Sequence, residues 1–288
     1  MQYNTRTGNA IVGNAIRKDR PLSNEELFQH VPSLFAQEAW EHCSDRYAFV
    51  PTIEIIDKLR NEGFLPFMAV QSRTQDEIKK GYARHMVRLR HESQINAEEA
   101  NEIILRNSHD KSSGFGIAAG LFRSVCQNGL VVGDLLQDIR IRHTGRQAID
   151  NVIEGCFTVL ENFVKVNESM EAMKATQLTL EEQVIFAKSA LALRYDEGKE
   201  PVGPASILNP RRREDVGNDL WRVFNVCQDN LEKGGASGYT RKEGQTKRGT
   251  TRALTGLTQG LRFNKSLWIL ADEMLKLKSG GSRESYSR

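Results

Sequence analysis

His85-Met86-Val87-Arg88-Leu89-Arg90-His91 is the stretch on which the reading of this chain turns. Side chains of a strand point alternately to its two faces, so Val87 and Leu89 fall on one side and Arg88 and Arg90 on the other. The alternation returns in Ile139-Arg140-Ile141-Arg142. Phe64 to Val70, with alternating large side chains, and Glu102 to Arg106, built around Ile103, Ile104 and Leu105, are further strand candidates. Strands of this kind sharing one sheet would pack an apolar face on helices. The opposite face would carry Arg88, Arg90, Arg140 and Arg142.

Helix signals flank this centre. Ser23 and Glu26 have capping-box spacing, which predicts a short helix through Leu27 and Phe28 that ends before Pro32. Thr52 is expected to cap a helix with Ile53, Ile56 and Leu59 on one stripe, stopped by Gly63. Beyond the strands, Gln147 to about Lys174 reads as a long amphipathic helix. Thr179 and Glu182 open another, Asp215 to Leu231 forms a third, and Asn264 to Leu277 a last one. The fold class expected is α+β: a central antiparallel sheet with flanking helices, followed by a helical C-terminal region. The divisions are a flexible arm over 1–20, an α+β core domain over 21–175, a helical region over 176–278 and a disordered tail over 279–288. The helical region contains a basic, Gly-rich loop at 233–256.

The totals set outer bounds. A chain of 288 residues, 39% hydrophobic and 27% charged, can bury a real core. A net charge of +3 permits a nucleic-acid partner without demanding one, so local concentrations of charge must carry that argument. Cys43, Cys126, Cys156 and Cys227 are scattered, with no CxxC, and read as reduced core thiols. Met1 to Gly13 is polar and lacks an apolar core, and no apolar run reaches membrane-spanning length. The expectation is a cytoplasmic protein with no membrane contact.

Asn107-Ser108-His109-Asp110-Lys111-Ser112-Ser113-Gly114-Phe115-Gly116 is the most unusual run. An imidazole and a carboxylate among hydroxyls invite a nucleophile reading. Adjacent His109 and Asp110 point in different directions, however, and a triad is made by convergence in space. A polar turn whose side chains bond to local backbone is the plainer reading. A third reading gives the amides and Lys111 to a phosphate. There is no GxxxxGK[ST], no HExxH and no HxH, so neither a cofactor nor a metal is expected. His85 and His91 fall on the apolar side of their strand, as packed, hydrogen-bonded histidines. Phe115 could stack on a base, but burial in the core is the plainer expectation.

The basic features carry the functional signal. Arg211-Arg212-Arg213 follows Pro210, and Lys233, Arg241, Lys242, Lys247, Arg248 and Arg252 cluster against the single acid Glu243, with Tyr239 the one aromatic there. A flexible segment of this kind can wrap a phosphate backbone, or can simply be a solvated loop. A basic sheet face with such a loop would make a groove for a single strand.

Two resemblances add context. Ile104-Leu105-Arg106-Asn107-Ser108-His109-Asp110-Lys111-Ser112-Ser113 and Gly120-Leu121-Phe122-Arg123-Ser124-Val125-Cys126-Gln127-Asn128-Gly129-Leu130-Val131 resemble the phage/plasmid-like proteins of bacterial prophages and conjugative plasmids, a family of unknown function. So do Arg20-Pro21-Leu22-Ser23, Arg46-Tyr47-Ala48-Phe49-Val50-Pro51-Thr52-Ile53 and Leu208-Asn209-Pro210-Arg211-Arg212-Arg213. The resemblance implies a mobile-element setting and transfers no catalytic residue. The order of a helix, several strands and a long helix is also similar to Rad52-like strand-annealing proteins, an architectural analogy only.

Together these point to single-stranded DNA binding and strand annealing by a non-catalytic protein that assembles with copies of itself. Arg88, Arg90, Arg140 and Arg142 are the expected phosphate contacts, with Lys111, Arg123, Arg241, Lys242, Lys247, Arg248 and Arg252. The rivals are a protein-interaction module acting on a host factor, and a hydrolase centred on His109 and Asp110.

Overall fold

His85–His91 forms a strand at the bounds its alternation predicts, at the centre of an antiparallel sheet in a computed structural model. The structure describes residues 13–43, 47, 49–124, 128–131, 139–141, 154–158, 163–242 and 245–280. They belong to two compact units, divided in sequence between Phe163 and Val164.

The first unit is built on seven strands: β1 (Gly13–Arg17), β2 (Phe64–Ser72), β3 (His85–His91), β4 (Glu99–Asn107), β5 (Phe115–Arg123), β6 (Asn128–Val131) and β7 (Ile139–Ile141). They pair antiparallel in the order β1-β2-β3-β4-β5-β6, and β7 also pairs with β5. Two helices accompany them, α1 (Asn24–His30) and α2 (Thr52–Asn61), and residues 154–158 (α3) are helical. The arm expected over 1–20 is corrected in part. Gly13–Arg17 pairs with Met68–Ser72, and Ile16 is buried, because joining the sheet satisfies the segment's backbone and covers that side chain. Residues 1–12 lie outside those described.

Local chemistry explains the helices. Ser23 Oγ accepts from the amide of Glu26, while the Ser23 amide donates to the Glu26 carboxylate, closing the predicted capping box. Thr52 is not the cap of α2 but its first residue. Its hydroxyl lies 2.9 Å from His85 Nε2 and accepts from Asn107 Nδ2 at 3.0 Å, pinning α2 to one face of the sheet. Val87, Leu89, Ile103, Leu105, Ile117 and Leu121 line that face, and Ile53, Ile56 and Leu59 are buried on the helix. Gly63 ends α2 at φ +81°, where a Cβ would meet the His91 ring.

Strand β5 was not legible as a strand, being rich in glycine and alanine. The register gives the reason for that composition. Gly116, Ala118 and Gly120 share a face with Arg106, Ile104 and Arg88, the arginine side of the sheet. A Cβ on Gly120 would stand 2.7 Å from Arg88 Nη2 and 2.9 Å from Ile104 Cδ1, and one on Gly116 would collide with Arg106. The small strand leaves room for guanidinium groups to lie flat across it.

The second unit comprises α4 (Phe163–Ala175) from Val164 onward, its first residue Phe163 belonging to the first unit, then α5 (Leu180–Ala192), the short α6 (Pro204–Ile207), α7 (Leu220–Glu232), a two-stranded ribbon of β8 (Ser237–Lys242) and β9 (Gln245–Thr250), and α8 (Leu257–Lys278). The long helix expected from Gln147 to Lys174 is described at 154–158 and Phe163–Ala175. Helix α7 is buried on nearly every side, and Trp221, Phe224 and Trp268 of α8 meet at ring distances of 5.6 to 6.4 Å. The segment expected as a loop at 233–256 is corrected by the ribbon, whose strands pair from Ser237↔Thr250 to Lys242↔Gln245. Cys156 and Cys227 are buried free thiols, Cys43 is partly buried, and Cys126 lies outside the described residues. Burial pushes Cys156 up to about 12. Among the described residues no helix is long and apolar enough to cross a membrane.

Candidate nucleic-acid interface

The sheet arginines alternate as predicted, but their face is not open to a strand of DNA. Arg88 and Arg90 are 1% and 5% exposed, and Arg123 is 4% exposed. Each has a partner in the sheet: Arg88 Nε lies 2.5 Å from Glu102, Arg90 Nη2 lies 2.9 Å from the same carboxylate, and Arg123 Nε lies 4.0 Å from Glu99. The Arg90 guanidinium is also sandwiched by aromatic rings, 4.5 Å from Phe67 and 4.0 Å from Phe122. Burial pushes the Glu102 carboxyl up, but Arg88, Arg90 and Arg17 together outweigh it and hold the group below its ordinary value. The expectation that Arg88, Arg90 and Arg123 contact phosphates is therefore corrected. Alternation fixes which face a side chain takes, whereas exposure depends on what lies across that face, and here the guanidiniums pack over small residues and aromatic rings. The backbone of Arg140 pairs with Gly116, and Arg142 lies outside the described residues.

The Ser-His-Asp run resolves into a structural turn. His109 is fully buried, its ring 4.8 Å from Phe49 and 5.1 Å from His85. Its amide donates to Tyr82 and its carbonyl accepts from Trp40. Asp110 accepts from the amide and hydroxyl of Ser112, and Ser108 Oγ bonds to both the carbonyl and the amide of Ser113. Lys111 adopts φ +65° and donates to the carbonyl of His42. His85 completes a buried network with Ser33, Thr52 and the carbonyl of Ala83, and burial lowers it to about 4, so its ring is neutral. Phe115 is fully buried. Among the described residues no group of three or more metal-ligating side chains converges.

Most of the C-terminal arginine triplet is also engaged. Asp229, 3% exposed, lies 2.6 Å from Lys233, 3.3 Å from Arg212 and 3.8 Å from Arg211. Burial pushes this carboxyl up, and Lys233, Arg212 and Arg211 hold it below its ordinary value.

The ribbon differs. Its root is rigid: the Thr251 hydroxyl donates to the Asn230 carbonyl and accepts from the Ala236 amide, while Asn230 Nδ2 bonds the carbonyls of Ile207 and Asn209. A Cβ on Gly249 would collide with the Pro201 carbonyl, and one on Gly238 with Ser206, so this glycine pair seats one face of the ribbon on the 201–206 segment. The other face carries Tyr239, 67% exposed, directly across from exposed Arg248. Lys247 is exposed, Arg241 and Lys242 continue β8 to its end, and exposed Arg252 follows two residues after β9. Of the expected contact residues, Arg241, Lys242, Lys247 and Arg248 lie in the strands of the ribbon, Lys247 in the register of Gly249 and Arg248 in that of Tyr239.

These features define an α+β protein whose second unit presents a cationic β-ribbon on a helical base. The family model for a domain of unknown function, DUF932, matches residues 39–268, and the chain belongs to that family. It is similar to UPF0380 protein YfjQ and UPF0380 protein YafZ, both of Escherichia coli (strain K12). Each is 44% identical over 262 residues, covering 91% of this chain and 94% of the relative. No solved structure matches the chain.

Proposed function

We propose that this protein binds single-stranded DNA through the β8–β9 ribbon. The observation that supports it is Tyr239 paired across the strands with Arg248, both exposed, on a ribbon whose root is fixed. An exposed ring gives a base a stacking surface, and neighbouring cations hold the backbone at either side. Strand annealing, carried out by several copies in the setting of a mobile genetic element, is the use this reading gives to such binding.

The test is fluorescence anisotropy of the nuclease-treated protein with single- and double-stranded DNA and RNA across a salt series. About five phosphate contacts would give a log–log salt slope of roughly −3.5 on single strands. Tight, salt-sensitive binding that favours single strands supports the reading. No binding at low salt discards it in favour of a docking ribbon for an acidic protein partner.

A further inference from the structure

The first unit contains a cleft of about 390 Å³ whose lining is aromatic rather than basic. Phe64, Phe157, Phe163 and the His91 ring form its walls, with Glu62, Ser93, Gln94 and Asn101 among them, and among the described residues neither Arg nor Lys lines it. The His91 ring stands edge-on to Phe64 at 5.0 Å, and its Nδ1 is 2.7 Å from Ser93 Oγ. Phe157 is 44% exposed, an open aromatic surface at the cleft.

Asn101 is the telling residue. It is 4% exposed, its backbone N–H donates to Gln94 Oε1, and its side-chain Oδ1 has no hydrogen-bond partner among the described residues. Folded proteins rarely leave a buried carbonyl-type acceptor unsatisfied, and an exception of this kind in a cleft marks where a donor from a ligand belongs. Aromatic walls beside one carboxylate, Glu62, and without a cation among the described residues argue against a phosphate as the recognised group. Flat aromatic walls with an unpartnered carboxamide oxygen suit the face and edge of a planar heterocycle, and a volume of about 390 Å³ lies in the small-molecule range.

We infer that this cleft binds an adenine base, stacked among Phe64, Phe157 and Phe163 and recognised by the Asn101 carboxamide. Adenine offers an amino donor beside a ring-nitrogen acceptor, the pair that a carboxamide matches with its oxygen and NH2 group. Guanine presents two acceptors on the corresponding edge, which suit a cation instead. The base arrives either on a free nucleotide or in a strand. The site lies in the first unit and stands independently of the ribbon.

The experiment is isothermal titration calorimetry of the full chain with adenosine, uridine and guanosine, repeated for Asn101→Leu and Phe157→Ala. Adenosine should bind, and each substitution should weaken it by roughly tenfold or more. Phe157 is half-exposed, so Phe157→Ala leaves the core intact and decides the matter if Asn101→Leu does not fold. No adenosine binding at millimolar concentration, equal binding of all three nucleosides, or unchanged affinity in Phe157→Ala overturns the inference. Where adenosine binds, competition by oligo-dA places the base in a strand, and competition by AMP without oligo-dA places it on a free nucleotide. Salt-sensitive DNA binding that depends on the ribbon, without adenosine binding, removes the pocket and leaves the ribbon reading in place.

Discussion

Nε of Arg88 stands 2.5 Å from Oε2 of Glu102, with both side chains 2% exposed, and Arg90 reaches the other oxygen of the same carboxylate. One acid thus serves two guanidiniums inside the sheet. Glu102→Gln keeps the shape and removes the charge, leaving both cations short of their shared counter-ion. The expected loss is about 3–5 kcal/mol of folding stability, read from urea denaturation at neutral pH. A loss below about 1 kcal/mol would show that the pair is dispensable to the sheet.

The same geometry sets a steric prediction at Gly120. A methyl group there presses on Arg88 and Ile104 from 2.7 and 2.9 Å. Gly120→Ala should cost about 1–3 kcal/mol, even though alanine suits a strand at least as well as glycine. Thermal unfolding of the two proteins side by side checks it, and an unchanged midpoint would mean that the arginine has space to move.

His85 gives the molecule a pH dependence. Its folded pKa of about 4 lies below the ordinary 6.5, because burial disfavours the charged ring. As pH falls below 6.5 the unfolded chain takes up a proton that the folded chain refuses until about 4. The stability contributed by the neutral ring is therefore full above pH 6.5 and is lost on the way down to 4, by roughly 3 kcal/mol in all. Urea midpoints of wild type should drop between about pH 7 and pH 5. His85→Gln should be less stable at neutral pH yet nearly flat over that interval; a parallel decline would assign the effect to other groups.

The ribbon substitutions should behave in the opposite way. Lys247 and Arg248 are exposed, so Lys247→Ala and Arg248→Ala together should shift stability by no more than about 0.5 kcal/mol per site. Their effect belongs in the anisotropy experiment, as weaker binding and a salt slope shallower by roughly 0.7 for each cation removed from a phosphate. Tyr239→Ala should weaken single-strand binding by about 1–3 kcal/mol with the slope unchanged. An equal weakening on double-stranded DNA would argue against stacking.

The sheet was legible where large side chains alternate with charged ones, and β3 has its predicted bounds. Strand β5 was hidden because Gly116, Ala118 and Gly120 carry no hydrophobic signal; their meaning appears only with Arg88 and Arg106 lying against them. Burial of the arginine face was equally invisible, since Glu102 is distant along the chain and looks like part of an apolar strand. In the second unit the many Gly and Thr residues suggested a loop, although two six-residue runs flank Glu243-Gly244, a spacing that suits a hairpin. Of the cations named from sequence there, Lys247 and Arg248 are exposed on β9. Asn101 and Phe157 carry no signal in the sequence, because an asparagine in a strand and a phenylalanine on a helix stand out only as walls of one cleft.

A two-stranded ribbon has two open edges, one along β8 and one along β9, each offering its backbone to any extended chain that passes. Like charges spaced along such an edge repel a second copy before its strands can align. Lys247 and Arg248 are such charges on β9, and variants stripped of them should precipitate at concentrations the wild type tolerates.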